Sequence, residues 1–201
     1  MSKIIAAFDF DGTITNKDSL WEFLTFYLGR KRLLIQIAKE FPLLACAKMG
    51  LASSSQAKEQ LFYNIFKGVS ISEFRKLCNE FKLLAKSFLR QDAIETIQSH
   101  LSKKDTVIVI TASPTEWVRP IAEELGINPN NVIGTELEIS ESGLLTGKFN
   151  GANCKGKEKV SRLLTIYPDR SSYTLIAYGD SKGDKELLSF ADQGFYRLFI
   201  K

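Results

Sequence analysis

The sequence predicts an α/β protein: a doubly wound, mostly parallel sheet that starts near the N-terminus, is interrupted by an all-helical insert and then resumes. Three observations predict it. Lys3 to Phe10 is a short apolar run ending in acids, as a buried parallel strand requires. Residues 19 to 90 show only helical spacing of apolar side chains. From 91 onward, helix-period and strand-like segments alternate, the order that builds parallel sheets.

Gly12 breaks the first strand. Ser19 and Glu22 have the spacing of a capping box ahead of Leu20, Phe23, Leu24 and Tyr27. Ser53 to Ser55 offer N-caps for a helix ending at Gly68. Ser72 opens another helix, with Phe74, Leu77, Cys78, Phe81, Leu84, Ala85 and Phe88 on one apolar face. Residues 92–101 read as helix, 107–110 as a β-branched strand and 113–125 as a helix stopping at Gly126. Ser113 is placed as its cap, with Pro114 at its first position and Glu116 closing a capping box. Pro120 lies inside and should kink or restart it. Residues 132–139 and 144–149 flank Gly143 as a hairpin. A helix (157–166), a strand (174–178), a helix (185–190) and a last strand (195–200) complete the chain. The expected boundaries are a core of 1–16 and 91–201 and an insert of 17–90.

Composition narrows the class. The chain has 201 residues, 44% hydrophobic and 25% charged, which excludes disordered and fibrous classes and suits one core with an insert. Cys46, Cys78 and Cys154 are too few and scattered for a disulfide framework, so a reduced, cytoplasmic protein is expected. The apolar run Ile4 to Phe8 leads straight into Asp9 and is no signal peptide. Leu33 to Ala52 is interrupted by Lys39, Glu40, Pro42 and Lys48, short of the ~20 apolar residues a spanning helix needs. Charge is segregated: residues 17–90 carry 13 Lys and Arg against 6 Asp and Glu, a net of +7 on a chain of net +4. Such a segment attracts anions, or is a set of solvated helix faces.

Four short segments carry chemistry. Asp9 and Asp11, two apart in an extended strand, project together past its carboxyl end, where open α/β sheets bind ligands. Two adjacent carboxylates favour a hard cation such as magnesium, although D-x-D-G is also an ordinary polar strand end. Thr111, Ala112 and Ser113 follow the 107–110 strand and lead into a helix start, which suits an anion or a simple cap. Lys155, Lys157 and Lys159 open a helix; they alternate, so they cannot all point inward. Asp180 and Asp184, in Gly179-Asp180-Ser181-Lys182-Gly183-Asp184, again place acids past a strand, able to complete a magnesium shell with the Asp9 carboxylate and the Asp11 carbonyl.

Together these segments resemble the haloacid dehalogenase-like (HAD) superfamily of magnesium-dependent phosphohydrolases. The residues that carry the resemblance are FDFDGT (Phe8 to Thr13), Thr111 to Ser113, a lysine opening a helix, and GDSKGD (Gly179 to Asp184). The resemblance implies a Rossmann-like core with a C1-type helical cap. Within the superfamily the chain is similar to subfamily IB, with its phosphoserine phosphatase-like proteins. FDFDGTIT with DSLWEFL, IGTELEI, LTGKF and NCKGKEKV is similar to phosphatidylglycerophosphatase-like ones. The resemblance implies Asp9 as nucleophile, Asp11 as general acid and base, and Thr111 with Ala112 and Ser113 at the phosphoryl group. It further implies Lys159, or else Lys157, as the charge-neutralising lysine, and Asp180 and Asp184 at Mg2+. The partner is then a small or lipid-linked phosphate monoester. Arg30-Lys31-Arg32 and the Leu33 to Ala52 stretch are read as a possible contact with an anionic membrane, or as the inside of a helical bundle.

Two other classes compete. A phospho-accepting receiver module uses similar residues, but it is shorter, has no long insert after its first strand and carries its acceptor on a middle strand. A basic nucleic-acid binder fits the +7 segment, but no stacking platform of surface aromatics is evident. His100, the single histidine, reads as structural.

Overall fold

The computed structural model describes residues 3–48 and 54–200, with the side chains of 39–54 left aside. The expected caps at Ser53 and Ser54, the apolar side chains of 39–52 and Cys46 lie outside the described set.

Five strands form one parallel sheet in the order β3-β2-β1-β6-β7. They are β1 (Lys3–Phe8), β2 (Thr106–Pro114), β3 (Val132–Thr135), β6 (Tyr173–Gly179) and β7 (Gln193–Tyr196). Central β1 pairs with β2 through Phe8 and Val109, and with β6 through Phe8 and Tyr178. The strand order reverses between β1 and β6, the place where such sheets open a crevice at their carboxyl ends. Alternation along β1 divides the core. Ile5 and Ala7 pack with Ile108, Ile110, Leu175 and Ala177 on one face, beneath α6 (Lys157–Ile166) and α7 (Lys185–Phe190). Ala6 and Phe8 pack with Val107, Val109 and Tyr178 on the other. That second face is covered by α4 (Gln91–Ser102) and α5 (Thr115–Glu124).

Between β1 and α4 lies the helical insert: α1 (Ser19–Lys48), α2 (Ser54–Phe66) and α3 (Ile71–Ala85). Gly29, at φ 73°, breaks the helical path of α1. The insert shares its core with α5. Trp117 stacks on Phe23 at 4.7 Å and on Phe62 at 5.9 Å, and Phe66, Phe74 and Phe81 complete an aromatic cluster. These rings are buried, so they offer nucleic acid no stacking platform.

Several expectations change. The 132–139 segment does not form one hairpin arm. Val132–Thr135 joins the main sheet as β3, and only β4 (Leu137–Ile139) pairs antiparallel with β5 (Leu145–Phe149). That hairpin is stitched to the insert: Gly68 N–H donates to Leu145 O, Leu145 N–H to Val69 O, and Ile71 N–H to Gly143 O. A Cβ at Gly147 would stand 2.4 Å from the Tyr63 Cα. The strand expected at 107–110 runs on to Pro114, so Ser113 lies in β2 and does not cap α5; Glu116 is buried instead of closing a capping box. Helix α5 passes through Pro120, because the burial of Trp117, Val118, Ile121 and Ala122 outweighs one missing hydrogen bond. At α1, Asp18 does the capping, accepting the Leu20 N–H at 2.9 Å, while Glu22 pairs with Lys17. Leu84, placed on the apolar face of its helix, is 40% exposed. The last strand runs over Gln193–Tyr196, ahead of the expected 195–200.

Candidate active site

The chain continues the β1 ladder one residue past Phe8: Asp9 N–H donates to Tyr178 O at 2.9 Å. This fixes the Asp9 carboxylate at the rim of the sheet, buried. The chain then turns sharply at Gly12, φ 81°, where a Cβ would meet the Asp180 Oδ2 at 2.3 Å. Only glycine allows both that dihedral and that approach. A side chain on Gly179 would likewise stand 2.6 Å from the Asp184 Cβ. Neighbouring strands and α6 deliver the rest: Thr111 and Ser113 from β2, Asp180 after β6, Asp184 at the start of α7, and Lys159 from α6.

Lys159 is the centre of the arrangement. Its Nζ donates to Asp9 Oδ1 and to Asp184 Oδ1, each at 2.5 Å, and it is 2% exposed. Lys155 and Lys157 are exposed. Burial pushes the Asp9 carboxyl up to about 7, against the pull of Lys159. Burial also acts on Asp184, but there Lys159 and the Ser181 donors outweigh it and hold the carboxyl below its usual range. Asp184 Oδ2 accepts the Ser181 hydroxyl at 2.8 Å and the Ser181 N–H at 3.0 Å, in a capping box at the turn 182–184. Burial disfavours the Lys159 ammonium, yet its two carboxylate partners outweigh this and raise its pKa.

Carboxylate oxygens of Asp9, Asp180 and Asp184 lie within 4.8 Å of one another. Asp180 Oδ1 is buried with no hydrogen-bond partner, and burial followed by repulsion from Asp184 raises the Asp180 carboxyl. Two of the three clustered carboxylates, Asp9 and Asp184, touch the Lys159 ammonium, Asp180 does not, and all the available donors are oxygens. This set fits a hard divalent cation, which would satisfy the orphaned oxygen and offset the excess charge. The Asp11 carboxylate is not in the cluster; it points to Ser19 and Ser113.

The crevice above the rim has a volume of about 570 Å³. The insert supplies its far wall through Leu20, Trp21, Ala57, Lys58 and Leu61. The Lys58 ammonium donates to Ala112 O at 2.7 Å, which the Thr135 hydroxyl also reaches at 2.8 Å, so that carbonyl is fully engaged. Desolvation lowers Lys58 to about 8, with Asp11 and Asp18 resisting. Thr111 is buried on the floor, its Oγ1 accepting the Ser113 N–H at 3.0 Å.

All the residues singled out in the sequence thus reach one rim, Lys157 excepted. Sequence reasoning missed Lys58, the contact of Ser19 with Asp11, and Asn153, which lines the crevice. Lys58 belongs to the basic 17–90 segment, but its helix gives no sign of which face turns to the crevice. His100 is buried between Asp105, 2.7 Å from Nδ1, and the Tyr178 hydroxyl, 3.0 Å from Nε2.

The chain is 34% identical to Protein CicA of Caulobacter vibrioides (strain NA1000 / CB15N) over 197 residues, 98% of this chain and 86% of that protein. It is 28% identical to the histidinol-phosphatase of Neisseria meningitidis serogroup C (strain 8013), covering 95% and 88%. Among solved structures, a protein of Bordetella pertussis Tohama I superposes with a TM-score of 0.80 at 23% identity, over 95% of this chain and 88% of that one. A substrate-bound phosphoserine phosphatase superposes with a TM-score of 0.66 at 20% identity, over 98% and 85%. The family model for haloacid dehalogenase-like hydrolases matches residues 6–189, from within β1 to the last turn of α7, and the chain belongs to that family.

Proposed function

We propose that the protein is a magnesium-dependent phosphomonoester hydrolase working through an aspartyl-phosphate on Asp9. The observation that carries this reading is the buried Lys159 bridging Asp9 and Asp184, with Asp180 beside them. Asp9, Asp180 and the Asp11 carbonyl would hold Mg2+; Asp184, already engaged with Lys159 and Ser181, would position that set. Bound there, the ion supplies charge neutralisation for the phosphoryl oxygens.

The residues divide the work. An Asp9 carboxylate oxygen attacks phosphorus as the ester P–O bond breaks, and Asp11 gives its proton to the leaving oxygen. Water then attacks the phosphorus of the acyl phosphate. Asp11 takes the water's proton, the P–O bond to Asp9 breaks, and both carboxyl groups return to their starting states. Lys159 holds Asp9 in place and neutralises charge on the phosphoryl group. Thr111 and the backbone of Ala112 and Ser113 bind that group. The insert 17–90 serves as a cap that excludes water. The similarity to a histidinol-phosphatase and to a phosphoserine phosphatase supports the phosphate-ester class.

The test is phosphate release from an aryl phosphate and then from a panel of monoesters, with Mg2+ and with chelator. Activity that survives full chelation, or persists in Asp9→Asn, overturns the reading. Repeated turnover separates it from a receiver module, which accepts phosphate once. A lipid-linked substrate is favoured by one feature: Leu34 and Ile35 are 66% and 59% exposed, next to the exposed Arg30, Lys31 and Arg32. Flotation with anionic vesicles tests it; absence of binding removes that option. Among the described residues no helix is long and apolar enough to cross a membrane.

A further inference from the structure

Asp11 sits at the seam between the insert and the sheet, and both of its carboxylate oxygens are engaged. Oδ1 accepts the backbone N–H of Ser19, the first residue of α1, at 2.6 Å. Oδ2 accepts the Ser113 hydroxyl at 2.5 Å. Ser113 Oγ in turn lies 3.3 Å from Ser19 Oγ, and Ser19 Oγ accepts the Trp117 indole N–H at 3.1 Å. Ser19, Ser113 and Trp117 are all buried.

Counting protons fixes the direction of this chain. A hydroxyl has one proton, and an indole nitrogen only donates. The Ser113 proton is committed to Asp11, so between the two serines Ser19 must donate. The order is Trp117 Nε1–H to Ser19, Ser19 O–H to Ser113, Ser113 O–H to Asp11, every donor pointing the same way. A second donor, the Ser19 N–H at the first turn of α1, meets the other carboxylate oxygen. Two donors on separate oxygens fix the plane of a carboxylate, which one hydrogen bond cannot do.

We propose that Ser19, Ser113 and Trp117 are positioning residues that set the plane of the Asp11 carboxyl for proton transfer to the leaving group. Because Ser19 opens the first helix of the insert, the same contact ties that plane to the seating of α1 on the sheet. The inference rests on the reading of Asp11 as general acid, and extends it to three side chains set behind that carboxyl.

The test compares kcat/KM for a nitrophenyl phosphate and an alkyl phosphate in Asp11→Asn, Ser113→Ala, Ser113→Thr and Ser19→Ala. This parameter reports the step up to ester cleavage. The alkoxide needs a proton and the nitrophenolate scarcely does. In Asp11→Asn the alkyl substrate loses more than the nitrophenyl one, by about 10²-fold or more, the scale of general acid catalysis. In Ser113→Ala the excess loss runs the same way at roughly tenfold, in Ser19→Ala it is smaller, and Ser113→Thr recovers most of it. The indole N–H resonance of Trp117 shifts in Ser19→Ala, an independent reading of the chain. Equal losses on both substrates in Ser113→Ala and Ser19→Ala, with a selective loss in Asp11→Asn, overturn the positioning role alone. Equal losses in Asp11→Asn show that the acid assignment itself is wrong. Should Ser113→Ala fail to fold, Ser19→Ala, which keeps its backbone N–H, carries the comparison.

Discussion

Replacing Lys159 with methionine keeps most of the unbranched side chain and removes its charge. Two carboxylates, Asp9 and Asp184, then face each other at the rim without the ammonium that each now touches at 2.5 Å. Removing one partner of a buried ion pair costs about 3–5 kcal/mol. For a chain of this size that lowers Tm by roughly 6–20 °C. The cost depends on pH, with a definite sign. Folded Asp9 titrates at about 7, above its unfolded value of about 3.9. Its burial therefore weakens the fold above pH 7, and the penalty fades as pH falls toward 4. Asp184 is shifted the other way by Lys159 and its Ser181 donors, and so contributes stability above its unfolded pKa that is lost in acid. Without Lys159 both carboxyls rise, so the variant loses most at pH 8 and clearly less at pH 5.5, where protonation relieves the repulsion. Urea unfolding of the metal-free protein at the two pH values, with chelator present, measures this. A loss below 1 kcal/mol at pH 8, or equal losses at both, refutes the argument.

Three other outcomes follow from the geometry. Gly12→Ala forces a Cβ against Asp180 Oδ2 in a left-handed conformation, costing about 1–2 kcal/mol for the dihedral alone; calorimetry should show weakened Mg2+ binding together with the lower Tm. After reductive methylation, the Lys58 resonance should titrate near 8, well below the roughly 10.4 of a free lysine, and a midpoint above 10 would contradict the desolvation at the crevice wall. His100→Leu leaves Asp105 and the Tyr178 hydroxyl buried without their partner and should destabilise by about 1–3 kcal/mol, while leaving KM for an aryl phosphate within twofold; a large rise in KM would give His100 a role in the site.

The α/β class was legible in the chain's own periodicities, because strand and helix periods are local: the first strand, read as Lys3 to Phe10, ends two residues earlier at Phe8, and α6 and α7 match the expected 157–166 and 185–190. The sequence also marked Asp9, Asp11, Thr111, Asp180 and Asp184, each read as lying past a strand's carboxyl end, which the sheet rule sends to one rim; among Lys155, Lys157 and Lys159 only the family resemblance favoured Lys159. Three features depend on long-range packing. Ser113 had the local pattern of a helix cap, yet β2 runs through it and its hydroxyl goes to Asp11, a partner 102 residues away. Pro120 should have broken α5, but burial of the residues around it outweighed the local cost. Lys58 reaches the crevice because α2 packs over the rim, and nothing in its own neighbourhood specifies that. Local rules capture what a residue does to its own backbone. Which side chain meets which depends on how separate elements bury their apolar faces, and that is settled only when the chain closes on itself.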